Sequence, residues 1–488
     1  MSTAEPADMS PGAAGIPLTR RIHPNMDQGG QASNVTQRRE EPVRGGRHVL
    51  GAGMALPINF SWTFLGNAVY AICQWGILVA LAKLGTPEMV GDFALAVAVT
   101  TPVVMLANLQ LRSLQATDAR YDYSFANYLG LRLVAAPTAL LVIVGIAFAT
   151  ASRSDARLVI VLVGVQKAIE SVTDVIYGRF QQDEQMERIA KSMMLRGSLS
   201  LAALGAGVAW TKGLPWGALG IVCAEALVFA GYDILSAKGF LQVADAQSGS
   251  EPKGAGWQIL RPCWETHRLA SLTRYALPLG LTMMLGSLSW NIPRYVIERY
   301  LGRRDLGFFS ASAYFILVGH LVINALGQSA APRLAKHYAS ANHGAFRRLL
   351  LGLAGFGLAL GAAGVVVAAV AGAQILTLAY QPEYARQVQV LVWVMAAAAI
   401  DYVASVLGVG MTAARYLRVQ VPLFALVTAV TAVASLWLIP SHGLLGAAMA
   451  LGIAGIVQTV GSMGILTHAM RMLGRRAQAK QQVTLYGK

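Results

Sequence analysis

Residues 128–150 read YLGLRLVAAPTALLVIVGIAFAT, and apart from Arg132 the stretch carries no charge. An α-helix rises about 1.5 Å per residue, so a run of this length spans the roughly 30 Å hydrocarbon core of a bilayer. No water is present there to satisfy backbone amides, so such a run must be helical. Comparable runs occupy 56–82, 89–111, 156–178, 192–211, 215–236, 275–298, 306–331, 346–371, 388–411, 419–439 and 443–470. Six runs precede a polar stretch at 237–274 and six follow it. The expected fold is an all-α polytopic membrane protein of twelve transmembrane helices.

Composition agrees. Apolar residues make up 55% of the chain and charged residues 13%, against about a quarter charged in soluble proteins. The net charge of +15 points to membrane orientation rather than nucleic acid, because the bases alternate by loop. The N-terminal tail, the loops on its side and the C-terminal tail hold 28 Lys and Arg. The opposite loops hold eight: Lys83, Arg153, Arg157, Lys212, Arg299, Arg303, Arg304 and Arg386. Both termini are therefore expected in the cytoplasm. Residues 1–55 read as a disordered cytoplasmic tail without the apolar segment of a signal peptide. Its Arg20, Arg21, Arg38, Arg39, Arg44 and Arg47 either touch anionic lipid or only help set topology. Residues 471–488 form a basic cytoplasmic tail. Cys73, Cys223 and Cys263 make no disulfide framework and no metal spacing.

The two halves resemble each other. Gly91, Phe93 and Asn108 recur 216 residues on as Gly307, Phe309 and Asn324. Leu84-Gly85 matches Leu301-Gly302, and Gln74 falls opposite Asn291. Both halves start on the same side, so the repeats are parallel: an N-lobe (56–236) and a C-lobe (275–470) around a central cavity. The stretch 237–274 is the expected inter-lobe linker, with an interfacial helix around Trp257–Leu272.

Polar groups inside spans are costly, so their placement carries information. Asn59, Thr63, Asn67, Tyr70 and Gln74 share one face of the first helix. Ser287, Asn291, Arg294 and Glu298 do so in the seventh, where Pro278 and Pro293 favour bending. Thr101, Asn108 and Arg112 form a stripe in the second helix, and His320, Asn324 and Gln328 in the eighth. All four stripes are expected to face a hydrated cleft. Hydrogen bonding between packed helices is the other way to satisfy such groups. Lys167, Glu170 and Asp174 lie on one face of the fourth helix. Lys167 and Glu170 are one turn apart, as are Arg294 and Glu298, so each pair is able to neutralise itself. Glu225, Asp233 and Asp401 sit in apolar surroundings, and Asp401 has no base within a turn. Asp401, Glu170 and Asp174 are the candidates for binding a coupling cation. Arg112, Arg132, Arg415 and Arg418 lie near cytoplasmic helix ends, where head-group anchoring is the ordinary role. Arg294 and Lys167, with Arg112 at the mouth, form a cationic set suited to a diphosphate, because guanidinium binds phosphate oxygens through a planar fork. The Asn, Gln and Tyr groups suit sugar hydroxyls.

The stretch Asn59-Phe-Ser-Trp-Thr-Phe-Leu-Gly-Asn67, with Gln74-Trp75, Leu84-Gly-Thr-Pro-Glu-Met-Val-Gly-Asp-Phe93, Asn108-Leu-Gln-Leu-Arg112 and Gln115-Ala-Thr-Asp118, resembles lipid-linked oligosaccharide flippases. So do Asp174-Val-Ile-Tyr-Gly178, Gln181-Gln182, Glu184, Met186 and Ala190-Lys-Ser192. These belong to the O-antigen and exopolysaccharide branch of the multidrug/oligosaccharidyl-lipid/polysaccharide exporter superfamily. The resemblance is strongest over 56–200, weaker at 275–340 and architectural beyond. It implies a bacterial inner-membrane protein that moves an undecaprenyl-diphosphate-linked glycan to the periplasmic leaflet by alternating access. No cofactor is expected, and the driving force is left open among H⁺, Na⁺ and the membrane potential. Its partners would be membrane lipids and a polysaccharide polymerase, not nucleic acid. A drug/cation antiporter of the same superfamily would share the fold but favour an acid-dominated cavity. A major-facilitator transporter would carry a glycine-acid-basic loop where this chain reads Arg112-Ser-Leu-Gln-Ala-Thr-Asp118. A membrane glycan polymerase or ligase would need a large outer loop, and the longest here, 372–387, offers only Glu383 and Arg386. The chain is therefore not expected to be an enzyme.

Overall fold

Each of the twelve runs lies on helix in the computed structural model of the protein, which describes residues 52–118, 122–151, 153–247, 261–340, 342–414, 416 and 419–486. The expected N-terminal tail lies outside the described residues up to position 51, as do Arg415 and Arg418. Among the described residues there is no strand. In chain order the helices are α1 (Ala52–Leu84), α2 (Pro87–Asn108), α3 (Leu111–Thr117), α4 (Phe125–Thr150), α5 (Ser154–Gln182), α6 (Met186–Thr211) and α7 (Leu214–Val228). They continue with α8 (Ile234–Gln247), α9 (Thr266–Tyr300), α10 (Arg303–Ala313), α11 (Phe315–Ala339), α12 (His343–Ala379), α13 (Val388–Ala413) and α14 (Gln420–Tyr486).

Among the described residues, nine helical segments are long and apolar enough to cross a membrane. The longest, Gln420–Met472, covers two of the runs. It breaks at Gly443, whose φ of 60° suits a residue without Cβ; Pro440 lies just before it. Two runs fail the apolar criterion. They lie on α5 and α9, the helices on which the sequence concentrates charge. Both are long enough to cross, and α9 stays helical through Pro278 and Pro293.

Several boundaries differ from those expected. The second run stops at Asn108, because Leu109 and Gln110 take positive φ of 50° and 54° before α3 begins. Each such non-glycine residue costs about 1–2 kcal/mol. The break is held in part by Arg132, whose Nη2 donates to the Asn108 carbonyl at 3.3 Å. A π-helical turn, Phe229–Asp233, joins α7 to α8 and carries Asp233. The expected linker 237–274 is helical at both ends. The proposed interfacial helix lies outside the described residues up to 260, and 266–272 is instead the start of α9. Packing explains this: Leu272 and Ala276 join a buried cluster with Leu109, Tyr128 and Leu129, so the apolar face of α9 extends to its first turns.

Close helix contacts use small residues, as expected where the hydrophobic effect does not drive helices together. Gly66 of α1 lies against Ala190 of α6, and Gly361 of α12 against Ala399 of α13. Helix α2 is central: it packs on α4 and α5 and also on α9 and α10. At the α2–α10 seam Arg303 Nη1 meets Asp92 Oδ2 at 2.8 Å. Nearby, Tyr295 OH donates to the Ala98 carbonyl at 2.5 Å. Trp75 Nε1 donates to Tyr380 OH at 3.1 Å, tying α1 to the turn after α12.

Candidate functional site

Two of the four polar stripes, those of α2–α3 and α11, line two separate cavities inside the bundle. The first, of about 260 Å³, lies between α2, α3 and α5 and is lined by Asn108, Arg112, Lys167, Glu170 and Asp174. The broken end of α2 creates it, because α3 restarts there with Arg112 turned inward. Lys167 Nζ pairs with Glu170 Oε2 at 2.7 Å. Tyr70 OH donates to the other Glu170 oxygen at 3.5 Å. Arg112 Nη1 reaches Asp174 Oδ1 at 3.4 Å, its Nε donates to Gln181 Oε1 at 3.1 Å, and its guanidinium lies over the Tyr177 ring.

Arg132 is a correction to the expected head-group role. It is fully buried and donates to Asn108 Oδ1 and, at 3.0 Å, to Ser171 Oγ. Its Nη2 stands 3.7 Å from Asp174 Oδ2. A buried guanidinium with these partners positions Asn108 and Asp174. The first cavity is lined by two cations, Arg112 and Lys167, and two carboxylates, Glu170 and Asp174, and the buried Arg132 adds a third cation behind its wall. The excess positive charge suits an anion in a low-dielectric setting.

The second cavity, of about 600 Å³, is formed by α9, α11, α13 and α14, and His320, Asn324, Gln328 and Asp401 line it. Asp401 is not without a base: His320 Nε2 lies 2.6 Å from its Oδ2. The sequence hides this pair because the partner comes from another helix. The imidazole stands edge-on to Tyr402 and Trp290, at 5.2 Å and 6.2 Å between ring centres. Met105 of α2 lines both cavities.

The other expected site residues line neither of these cavities. Asn67 is exposed and donates to the Thr63 carbonyl at 2.7 Å, while the Asn59 carbonyl accepts from Thr63 Oγ1 at 2.8 Å. Gln74 is half-buried. Tyr70 reaches the first cavity only through Glu170. Asn291 is buried and donates to the Ser287 carbonyl at 2.8 Å. Arg294 does not pair with Glu298. Its Nη1 turns back to the Trp290 carbonyl at 2.9 Å and Asn291 Oδ1 at 3.0 Å. Among the described residues it meets no carboxylate.

One polar centre escaped the sequence reading. Arg196 of α6 is buried, with Nε 3.0 Å from Glu225 Oε2 and Nη2 2.8 Å from Asp233 Oδ2. It also donates to Thr173 Oγ1 at 2.9 Å. Tyr177 OH donates to Ser192 Oγ, which donates to Asp233 Oδ1, at 2.6 Å and 2.5 Å. The apolar settings expected for Glu225 and Asp233 therefore contain a base. The signal was a lone Arg inside one run beside two lone acids in the next. The centre is buried and pairs its one guanidinium with both acids, as a structural ion-pair cluster does.

Comparison with known proteins places this geometry. The chain matches the polysaccharide biosynthesis protein family over residues 58–338. It is 26% identical over 404 residues to the capsular polysaccharide biosynthesis protein CapF of Staphylococcus aureus, covering 82% of this chain and 97% of the relative. The fold is similar to the inward-facing form of a multidrug resistance MATE transporter of the MOP superfamily, with TM-score 0.66, 12% identity and 85% and 99% of the two chains covered. It is also similar to the lipid II flippase MurJ in an inward closed conformation, with TM-score 0.63, 10% identity and 87% and 92% covered. The family match covers the stretch in which the sequence motifs lie and ends near where their resemblance fades. The chain is a membrane protein of the polysaccharide biosynthesis protein family, built on the fold shared by the MATE transporters and MurJ.

Proposed function

We propose that the protein is a flippase that moves undecaprenyl-diphosphate-linked oligosaccharide units from the cytoplasmic to the periplasmic leaflet by alternating access. In this reading twelve crossings form two six-helix lobes, with both termini in the cytoplasm of a bacterial inner membrane. The family supports a polysaccharide precursor as cargo. The observation that carries the diphosphate is Arg294. It is a guanidinium within a membrane helix, and the described residues give it no carboxylate. An unpaired charge there costs several kcal/mol, which a bound phosphate would offset through charge-assisted hydrogen bonds. In this reading Lys167 and Arg112, which line the first cavity, supply the second contact, and Asn108, Asn324, Gln328 and His320 bind sugar hydroxyls. Asp401, Glu170 and Asp174 are the carboxylates able to take up a cation on the return stroke.

The test is genetic and chemical together. Deleting the gene should abolish a surface or secreted polysaccharide while its lipid-linked precursor accumulates inside. Unchanged polysaccharide, in a strain with no second flippase, would overturn the reading. Drug sensitivity in place of glycan loss would favour the antiporter.

A further inference from the structure

A third cavity, of about 750 Å³, lies between the helices of the two halves, at the end where α1 and α9 finish. Its back wall is α2 and its sides are α4 and α9. At the opposite end these sides meet, because Gly130 of α4 lies against the Cys263 carbonyl and Leu272 packs beside Leu129. Leu95, Val99, Ile146 and Leu288 make the wall apolar. Its rim is basic: Arg153, Arg299 and Arg303 line it, with Asp92 and Glu298.

The rim charges are unevenly paired. Asp92 Oδ2 is shared by Arg303 at 2.8 Å and Arg153 at 3.9 Å. Arg299 is exposed and forms no ion pair among the described residues. Arg153 also reaches Asp155 Oδ2 at 3.7 Å, so Arg153 and Arg303 are held by carboxylates while the Arg299 guanidinium is left to meet a ligand. The buried Asp92 Oδ1 has no hydrogen-bond partner, a place for a hydroxyl donor. Bases are scarce on this side of the chain: three of its eight gather at this one cavity.

We propose that this cavity holds an anionic phospholipid of the adjacent leaflet. The acyl chains lie along the apolar wall and the phosphodiester sits among Arg153, Arg299 and Arg303. One phosphodiester carries one negative charge, which the unpaired Arg299 meets, and basic pockets between membrane helices bind head groups in this way. The head group bridges Arg153 on one half of the chain to Arg299 on the other. The proposal does not depend on the cargo.

The test uses the full chain in nanodiscs, with a photoreactive amino acid in place of Thr150, an exposed residue lining the cavity. The discs hold phosphatidylcholine alone, phosphatidylcholine with phosphatidylglycerol, or phosphatidylcholine with polyprenyl diphosphate. The expected adduct is phosphatidylglycerol, falling about tenfold in Arg299→Gln, the value of one charge-assisted hydrogen bond. Arg299 has no ion-pair partner among the described residues, so this variant should fold. Leu288→Trp, which fills the wall, should lower the adduct as well. Equal labelling of phosphatidylcholine and phosphatidylglycerol, or labelling unchanged by Arg299→Gln, overturns the proposal. Labelling of polyprenyl diphosphate alone also overturns it and assigns the cavity to cargo.

Discussion

Gly91 and Gly307 face each other across the α2–α10 seam, each against the backbone of the helix that carries the other. A Cβ on Gly91 would overlap the carbonyl oxygen of Arg303, and one on Gly307 would overlap that of Pro87. Arg303 is the residue 216 positions after Pro87, the same offset that separates the two glycines. The contact is therefore reciprocal, as an axis relating the two repeats requires. It places the sequence repeat in the packing of the bundle.

Gly91→Val and Gly307→Val should each destabilise the protein by about 1–3 kcal/mol or more, the usual cost of overpacking. Backbone lies in the way, so neither site has a flexible neighbour to yield. Thermal melts of detergent-purified protein should shift downward by similar amounts for the two variants. A Gly91→Val variant that melts with the parent would refute the seam.

The helices were legible because lipid demands long apolar runs, and the stripes because helical period exposes them. Three-dimensional pairing was not. Arg132 finds Asn108 and Asp174, His320 finds Asp401, and Arg196 finds Glu225 and Asp233, each across separate helices. No one-turn rule reports such partners, since they depend on how helices rotate against one another. The turn at Leu109 and Gln110 was hidden because no glycine marks its positive φ. Lys167 and Glu170, one turn apart, were the pair a single helix allows.

Arg294 separates cargo binding from structure. Arg294→Ala should cut glycan export at least about tenfold at unchanged protein level, since a charge-assisted bond is worth about 1.5–3 kcal/mol. Arg294→Lys should restore part of the export, keeping charge and losing the planar fork. Pulse-labelled polysaccharide, normalised to membrane protein, reads the effect. Full export in Arg294→Ala would remove it from the site.

Lys167 requires a paired design. Lys167→Ala leaves Glu170 without its base, so loss of protein would report only a broken pair. Lys167→Met with Glu170→Met removes both charges and should accumulate in the membrane like the parent. If Lys167 meets diphosphate, that double variant still fails to export. Normal export by it would make the pair purely structural.

His320 and Asp401 form a pair whose coupling is measurable. If one proton or cation site spans both, His320→Gln, Asp401→Asn and the double variant should lower transport to the same extent. A double-mutant cycle in proteoliposomes then gives an interaction energy of about 1 kcal/mol or more. Additive losses would mean that the two residues act separately, and normal transport by Asp401→Asn under every gradient would exclude it from coupling.

Export of a diphosphate is expected to be electrogenic. The cargo carries about two negative charges toward the positive side of an energised membrane. At roughly 2.3 kcal/mol per charge per 100 mV, the potential supplies about 4–5 kcal/mol. Each 1.4 kcal/mol is about tenfold, so the bias exceeds a thousandfold. The empty carrier must return without cancelling that gain. On that return Lys167 and Arg112, with any cation held by Glu170 or Asp174, move toward the negative side, so the potential assists the step rather than opposing it. Protein oriented in liposomes, at fixed pH and Na⁺, should flip cargo faster when an inside-negative potential is imposed with a potassium ionophore. Substituting Glu170 by Gln should change that voltage dependence more than the rate at zero potential. Flipping that ignores the imposed potential would rule out an electrogenic stroke and leave an ion gradient as the driving force.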